Sequence, residues 1–529
     1  MQKKFLLIVV VLATCFSSTA FAAVEINSTN FPDNVFREFV LQNFDWNGNL
    51  ILDDDEIAGN QYIGVDSCDI SSLKGIEFFT ELTGLYCRYN NLTQLDLHAN
   101  TKLENLSCRY NQLQELDLRN NTALKELNCR NNNLSKLDIS NCTQLVEIWT
   151  RDNKITELDV SNCTLLERLS CQRNNLTTLN ISNCPNLVEL WCSYNKIAVL
   201  DTSKNTKLEI LGCGDNLITE LSVSHLPLLK ELWCFLDNVK VLDVTKNTQL
   251  EILDCDRCGL TSLDISNNLA LTYLDYGGNK IPELDISKHT ALERLECYSC
   301  DVTHLDVSKH TELTYLDCGP DLLTQIDVSK NTKLVTFWCN RNKLSALNVS
   351  KNPELVELYC YSNDLLTLDL SNNPSIDLLS CDTNVIAKNL TVEDSGGIIY
   401  PYEADMSDCV GNNINKIERL IAFDSNGREI TSNYSTADGI AEFTEIPNTV
   451  VYFYNFGYTG TSTNIPKTMK VTVTAKYQET PEDPSEPEPT TPETPSTPSR
   501  GGGSSGCNAG FGLFGGIIFL YALISKKLL

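Results

Sequence analysis

The sequence predicts a solenoid: a curved parallel β-sheet wound from 21-residue coils, with short strands or turns on its convex side. Three observations predict it. Every twenty-first residue is a cysteine at Cys87, Cys108, Cys129, Cys171, Cys192, Cys213, Cys234, Cys255, Cys297, Cys318, Cys339, Cys360 and Cys381, with only Thr150 and Tyr276 interrupting. Asparagine keeps the same period from Asn90 to Asn216 and returns at Asn279, Asn342, Asn363 and Asn384. No insertion disturbs the register over these fifteen units, so each coil must stack on the one before it.

Residues 82–102, LTGLYCRYNNLTQLDLHANTK, make up one coil. Leu82, Leu85, Cys87, Asn90 and Leu92 follow LxxLx(L/C)xxNxL, the leucine-rich repeat with cysteine in its third leucine place. Over residues 63–384 the pattern resembles the 21-residue cysteine-ladder repeats of internalin J type. Leu85 and Cys87 point inward from a short strand, so residues 84, 86 and 88 point out onto the concave face. One coil cannot bury enough apolar surface to order itself, so stability must come from stacking, with caps at both ends.

The Asn90 line reads as a buried amide ladder that satisfies the backbone of the tight turn after each strand. Asp237, Asp321, Cys258 and Cys300 replace the amide where it fails, and Cys68 holds the same place in an earlier degenerate rung. A second line on the far side (Asn100, Asn121, Asn205, Asn247) gives way to Cys142, Cys163 and Cys184. Cys409 alone lies in another context. Rungs about 4.8 Å apart would admit disulfides by Cα distance. Parallel Cβ vectors do not give the torsion that bond needs, so free, buried thiols are expected. Nor do Cys-x-x-Cys pairs converge with histidine at zinc spacing. Asp96 and its repeats form an outer line, read as turn chemistry on a solvated edge in preference to a ligand site.

Candidate functional residues lie on the concave rows. Stepping by 21 from Tyr86 meets Trp149, Trp191, Trp233 and Trp338, then Tyr359, with Tyr361 beside it. Ser170 and Gly212 separate the first three tryptophans, which places them about 9–10 Å apart. Between Trp233 and Trp338 the same row reads Asp254, Asp275, Glu296, Asp317. A neighbouring row reads Arg88, Arg109, Arg130, Arg151. Like charges stacked one rung apart repel, so each run needs a reason. Neutralisation by Glu126 and Glu147 beside the arginines, and by Arg294 beside the acids, is the structural explanation. The alternative is recognition, because exposed Trp, Tyr and Arg on a rigid surface are the composition of protein interfaces.

The ends frame this scaffold. Residues 1–22 read as a secretory signal with Lys3 and Lys4, an apolar run and Ala20-Phe21-Ala22. A lipoprotein signal ending at Cys15 competes with it, opposed by Thr14. Residues 23–62 resemble the helical N-terminal caps of such surface proteins, with Phe36, Phe39, Val40 and Phe44 at helical spacing. There Asp45, Asn47, Asn49, Asp53 and Glu56 fall at EF-hand positions and are the candidate calcium ligands. Leu50 occupies the place of the usual glycine, and an acidic turn is the plainer alternative. Residues 385–478 lose the period and alternate as a small β domain, expected to be sandwich-like and to cover the last coil. Residues 479–506 form a Pro/Glu/Thr/Gly-rich spacer. Residues 507–529 combine Cys507, an apolar run and Lys526-Lys527. They resemble the Synerg-CTERM class of sorting domains, which implies surface transfer with Cys507 as the processing or attachment residue; a plain membrane anchor is the alternative.

A net charge of −28 argues against nucleic acid as partner. No nucleophile motif, P-loop or zinc-protease helix appears; no cofactor is required, and calcium at the cap loop is the one candidate. His289 and His310 sit on the far-side asparagine line, where a structural role is expected. The expectation is a non-enzymatic recognition or adhesion protein, exported and tethered at the cell surface by its C-terminus. It would bind a protein partner through the concave face; a glycan-binding module and a structural envelope protein are the alternatives.

Overall fold

Each coil spends three residues on strand, and these align without slippage: Leu85 pairs with Leu106, Leu106 with Leu127, Leu169 with Leu190. The computed structural model describes residues 24–365, 367–381, 385–394, 402–406, 416–435, 440–445, 447, 449–455 and 468–477. The leader, the spacer, Asn384, Cys409, Cys507 and the C-terminal apolar run lie outside the described residues. A sixteen-stranded parallel sheet runs from Tyr62–Gly64 to Leu378–Ser380. The central residue of the strands (Leu85, Leu127, Ile148, Leu190, Leu253, Leu316) is fully buried, as are the cysteines that follow from Cys87 to Cys360. This is the leucine-rich-repeat solenoid that the period predicts. Glu115–Asp117 and Lys136–Asp138 form a separate two-stranded parallel sheet among the turns between successive concave strands.

The asparagine ladder joins coils through backbone groups. Asn111 Nδ2 donates to Cys87 O of the preceding coil at 2.9 Å and to Cys108 O of its own at 3.0 Å. Its Oδ1 accepts from Leu92 N at 3.0 Å. Asn132, Asn174, Asn342 and Asn363 repeat the double donation. The residue before each amide is driven into the left-handed region, with φ of 54° at Tyr89, 57° at Tyr110, 53° at Arg173 and 54° at Arg341. Non-glycine residues visit that region at a cost, and the bonds of the adjacent amide offset it.

The far-side line works by donation alone. Asn121 Nδ2 donates to Leu97 O and Asn100 O, whereas the Oδ1 atoms of Asn100, Asn121, Asn205, Asn247 and Asn268 are buried without a partner. A site that needs only a donor accepts other donors. Cys142 Sγ reaches Leu118 O at 3.3 Å, and the Nε2 atoms of His289 and His310 lie 3.0 and 3.1 Å from Ile265 O and Ile286 O. On the first ladder Cys258 and Cys300 likewise donate to Cys234 O and Tyr276 O. The cysteines among the described residues form no disulfide. Burial pushes the Cys108 and Cys171 thiols up to about 12.

The N-terminal helix α1 (Asn34–Asn43) is capped by Asp33, which accepts from Val35 N and Phe36 N. The other oxygen of Asp33 accepts from Ser71 N and Ser71 Oγ, both at 2.8 Å, and so fastens the helix to the first turns of the solenoid. Phe31, Phe36, Phe44 and Phe79 fill the joint. A short helix α2 (Asp54–Ala58) follows with a capping box between Asp53 and Glu56. Beyond the coils, Val385–Asp394 pairs in parallel with Thr468–Tyr477 and the remaining strands pair antiparallel. Ala422, Phe443, Val450 and Tyr452 are buried there, and Lys416 bonds Asp369 of a late coil at 2.8 Å.

The two acids of the first ladder supply a test. Oδ1 of Asp237 accepts from Asn216 N and Ile218 N, but Oδ2 is buried without a partner; Asp321 is arranged alike. Burial pushes their carboxyls up to about 7 and about 6. Both values lie above the ordinary carboxylate range, so protonation favours the fold. That contribution is present in acid and is lost as pH rises through about 6 and then about 7. Asp237→Asn and Asp321→Asn should each raise the melting temperature by a few degrees at pH 8.5 and change it little at pH 4.5. A difference independent of pH would contradict the assignment. In a second check, the ladder thiols should resist a water-soluble disulfide reagent in the native protein and all react once it is denatured.

Candidate functional site

Strand alternation turns the Tyr86 row onto the concave face, and the structure places its tryptophans there in a common setting. Glu147, Glu189 and Glu231 each stand two residues before a tryptophan. Their carboxylates accept the indole N–H of Trp149, Trp191 and Trp233 at 3.3, 2.6 and 3.2 Å. The Glu-x-Trp triplet is visible in the sequence and is the signal that could have found these orienting acids. Trp191 and Trp233 lean together, their ring centroids 6.4 Å apart although a whole rung lies between them. Gly212 makes this geometry: a Cβ there would lie 2.2 Å from Trp191 Cε3, so a side chain would lift the ring off the sheet. Trp338 stacks flat on Tyr359 at 5.2 Å and 6°, with Tyr361 half-buried two residues on. The tryptophans are less open than their outward direction suggests: Trp149, Trp191 and Trp338 are half-buried and Trp233 is only 8% exposed.

The arginine row is real, but its neutralisation differs from the sequence expectation. Arg88 is bound by Asp66, Nε at 2.8 Å, and Arg151 by Asp152 at 3.0 Å. Arg109 lies over Tyr89 and Tyr110, themselves stacked at 4.4 Å. Glu147 instead pairs with Arg168. Asp66 sits in the degenerate first rung and Asp152 in the turn row, so neither belongs to the adjacent strand row where neutralisation was expected. Arg130 has no ion pair among the described residues; burial, and then neighbouring Arg109, lower its pKa.

The acid row also departs from expectation. Asp254, Asp275, Glu296 and Asp317 stand in register between Trp233 and Trp338, one per rung. They face the concave side yet are only 4–7% exposed. The neighbouring row, Tyr273, Arg294 and Tyr315, accounts for the cover. Tyr273 packs on Trp233 and Tyr315 on Trp338, both at 5.4 Å. Arg294 bonds Glu296 at 2.7 Å and lies 3.6 Å from the centre of the Tyr315 ring. Its ion pair goes to Glu296, and its charge acts more weakly on Asp254 and Asp317. Burial, then the charges of Asp256 and Glu296, push Asp254 up to about 8 against the N–H of Asp256. Burial pushes Asp275 and Asp317 well above the usual carboxylate range as well.

The cap loop gathers the EF-hand positions by hydrogen bonds among themselves. Asn47 and Asn49 donate to Asp53 at 2.8 and 3.2 Å, and Asp45 accepts from Asn49 N and Leu50 N. Glu56 is buried and accepts from Trp46 N and Asp53 N. Leu50, in the place of the usual glycine, holds φ of 64°. Among the described residues no group of three or more His, Cys, Asp or Glu is arranged to hold a metal ion, and no helix is long and apolar enough to cross a membrane.

No protein-family model matches the chain. Internalin J of Listeria monocytogenes serotype 4b (strain F2365) is 35% identical over 71 residues, a stretch that spans 13% of this chain and 8% of that protein. The solved functional domain of InlJ from Listeria monocytogenes, which includes a cysteine ladder, superposes with a TM-score of 0.63 at 29% identity. The match covers 87% of this chain and 99% of that one. A leucine-rich-repeat protein of Leptospira interrogans shares the fold at a TM-score of 0.51 and 20% identity, over 67% of this chain and 92% of its own. The chain is a leucine-rich-repeat solenoid similar in sequence and fold to the cysteine-ladder domain of internalin J.

Proposed function

We propose that this chain is a non-enzymatic recognition or adhesion protein of the cell surface that binds a protein partner through its concave face. The observation that carries the reading is the Trp191–Trp233 pair, leaned together over Gly212 and each held by a glutamate. An indole with a fixed N–H, half-buried at Trp191 and buried at Trp233, is pre-organised, so it loses little freedom on binding. The scaffold around it is an extended rigid sheet, the surface that repeat proteins present to partners. Arginines and tyrosines at one end and acids at the other add the mixed chemistry that gives orientation to a protein–protein contact. Export and C-terminal tethering through Cys507 belong to the same proposal and rest on the sequence of the two ends.

A glycan reading has one observation in its favour, the flat Trp338–Tyr359 platform, since a sugar ring stacks on such a surface. Salt separates the two. Trp191→Ala should weaken partner binding at least tenfold with little change in melting temperature; Trp233→Ala should weaken it as much but, at a buried site, also lower the melting temperature. Protein binding should also fall as salt is raised from 50 to 500 mM, through the Arg88–Arg151 strip, given a Debye length near 10 Å at 0.1 M. Salt-independent binding of a neutral oligosaccharide on a glycan array would overturn the protein reading in favour of the glycan. Unchanged partner binding by both tryptophan variants would overturn the assignment to the concave face.

A further inference from the structure

The acid row has no part in the Trp191–Trp233 contact. Asp254, Asp275 and Asp317 each accept one backbone N–H, from Asp256, Gly277 and Gly319, at 3.2, 2.9 and 3.1 Å. Among the described residues none of the three takes a second hydrogen bond or an ion pair, although each is more than nine-tenths buried. A buried carboxylate in that state is costly unless it is protonated or meets a cation. The adjoining groups are already committed: Tyr298 and Arg257 to Asp256, Arg294 and Tyr273 to Glu296. Among the described residues, then, Asp254, Asp275 and Asp317 have no ion-pair partner of their own, and each could take a cation from outside the chain.

The same groove already holds one guanidinium. Arg294 lies over the Tyr315 ring with Glu296 at its edge, an arrangement in which the aromatic face and the carboxylate both stabilise the cation. The elements recur on either side: Trp233 and Tyr273 beside Asp254, Tyr315 and Trp338 beside Asp317.

We propose that the row from Trp233 to Trp338 is a docking groove for an extended basic segment of the protein partner. Arginine or lysine side chains of that segment would lie over the aromatic rings and pair with Asp254, Asp275 and Asp317. The inference rests on the concave-face reading and identifies the partner's chemistry. Shape favours a polypeptide over a small cation. The acids are spread one per rung and no three converge to cage a metal ion. Five rung steps of about 4.8 Å make a strip of roughly 24 Å, the span of about seven extended residues. Entry of the cations ionises carboxyls that burial otherwise keeps protonated, so each pair forms in a low-dielectric groove and resists salt better than the arginine strip does.

The test titrates the full-length protein with a ten-residue alternating Arg-Gly peptide, followed by tryptophan fluorescence, with spermine and calcium as parallel arms. Substituting Asp254→Asn, Asp275→Asn and Asp317→Asn together keeps the shape of each side chain and should weaken the peptide at least tenfold. The control substitutes three exposed acids of the outer edge, Asp285→Asn, Asp306→Asn and Asp327→Asn, which removes the same formal charge and should leave affinity within twofold. Absence of peptide binding, equal weakening by both triple variants, or binding of spermine or calcium with no binding of peptide would each overturn the proposal. The concave-face reading is decided separately by Trp191→Ala, three rungs from the first acid, in the assay with the partner itself. Loss of partner binding there, with no binding of the peptide, would remove the basic-segment inference and leave the reading intact.

Discussion

The first asparagine ladder carries the architecture, because one side chain satisfies backbone groups in two successive coils. Asn111 ties Cys87 O and Leu92 N of one coil to Cys108 O of the next. It also holds Tyr110 in the left-handed region, and that turn ends each strand at the same point. The fixed strand end sets the register, which places every outward residue in a straight row. The concave aromatic and charged rows are therefore consequences of a buried amide, and the cysteines fill the space behind it. Substitutions within the two ladders follow from what each site asks. On the far side, where donation suffices, sulfur and imidazole replace the amide; on the first ladder Cys258 and Cys300 keep the donation, whereas aspartate leaves an oxygen buried and unpaired.

The fold was legible because its signal is periodic. Thirteen cysteines at a single spacing fix the strand position, the inward direction and the coil count before any propensity is considered. The concave rows follow by addition. What the period could not convey is how residues in adjacent rows lie on one another. Asp254 and its row are outward by alternation, yet Tyr273, Arg294 and Tyr315 from the next row fold across them and turn an apparent charged surface into buried carboxylates. The arginine strip shows the same limit. Its counter-charges come from Asp66 and Asp152, in a degenerate rung and a turn, and the strand-row neighbour Glu147 serves Arg168 instead.

These contacts divide the face into zones of different character. Near the N-terminal end the arginines are half-exposed, stacked on tyrosines and open to solvent screening. The Trp191–Trp233 zone is apolar and pre-set by Gly212 and the glutamate partners. Beyond it the acid row is recessed and under-neutralised, and Trp338 with Tyr359 closes the series as a flat platform. A partner that satisfies all four zones must be extended and must present acidic, apolar, basic and ring-stacking groups in that order. This sequence of zones gives the face a direction as well as an affinity.

The central claim is that recognition occurs on these rows and not on the outer aspartate edge. Hydroxyl-radical footprinting of the protein with and without its partner, read residue by residue by mass spectrometry, addresses it most directly. The account predicts that Trp191, Trp233, Tyr315 and Trp338 lose reactivity in the complex while His98 and His304 on the outer turns keep theirs. Protection of the outer-turn residues, with the concave tryptophans and Tyr315 still as reactive as in the free protein, would contradict it.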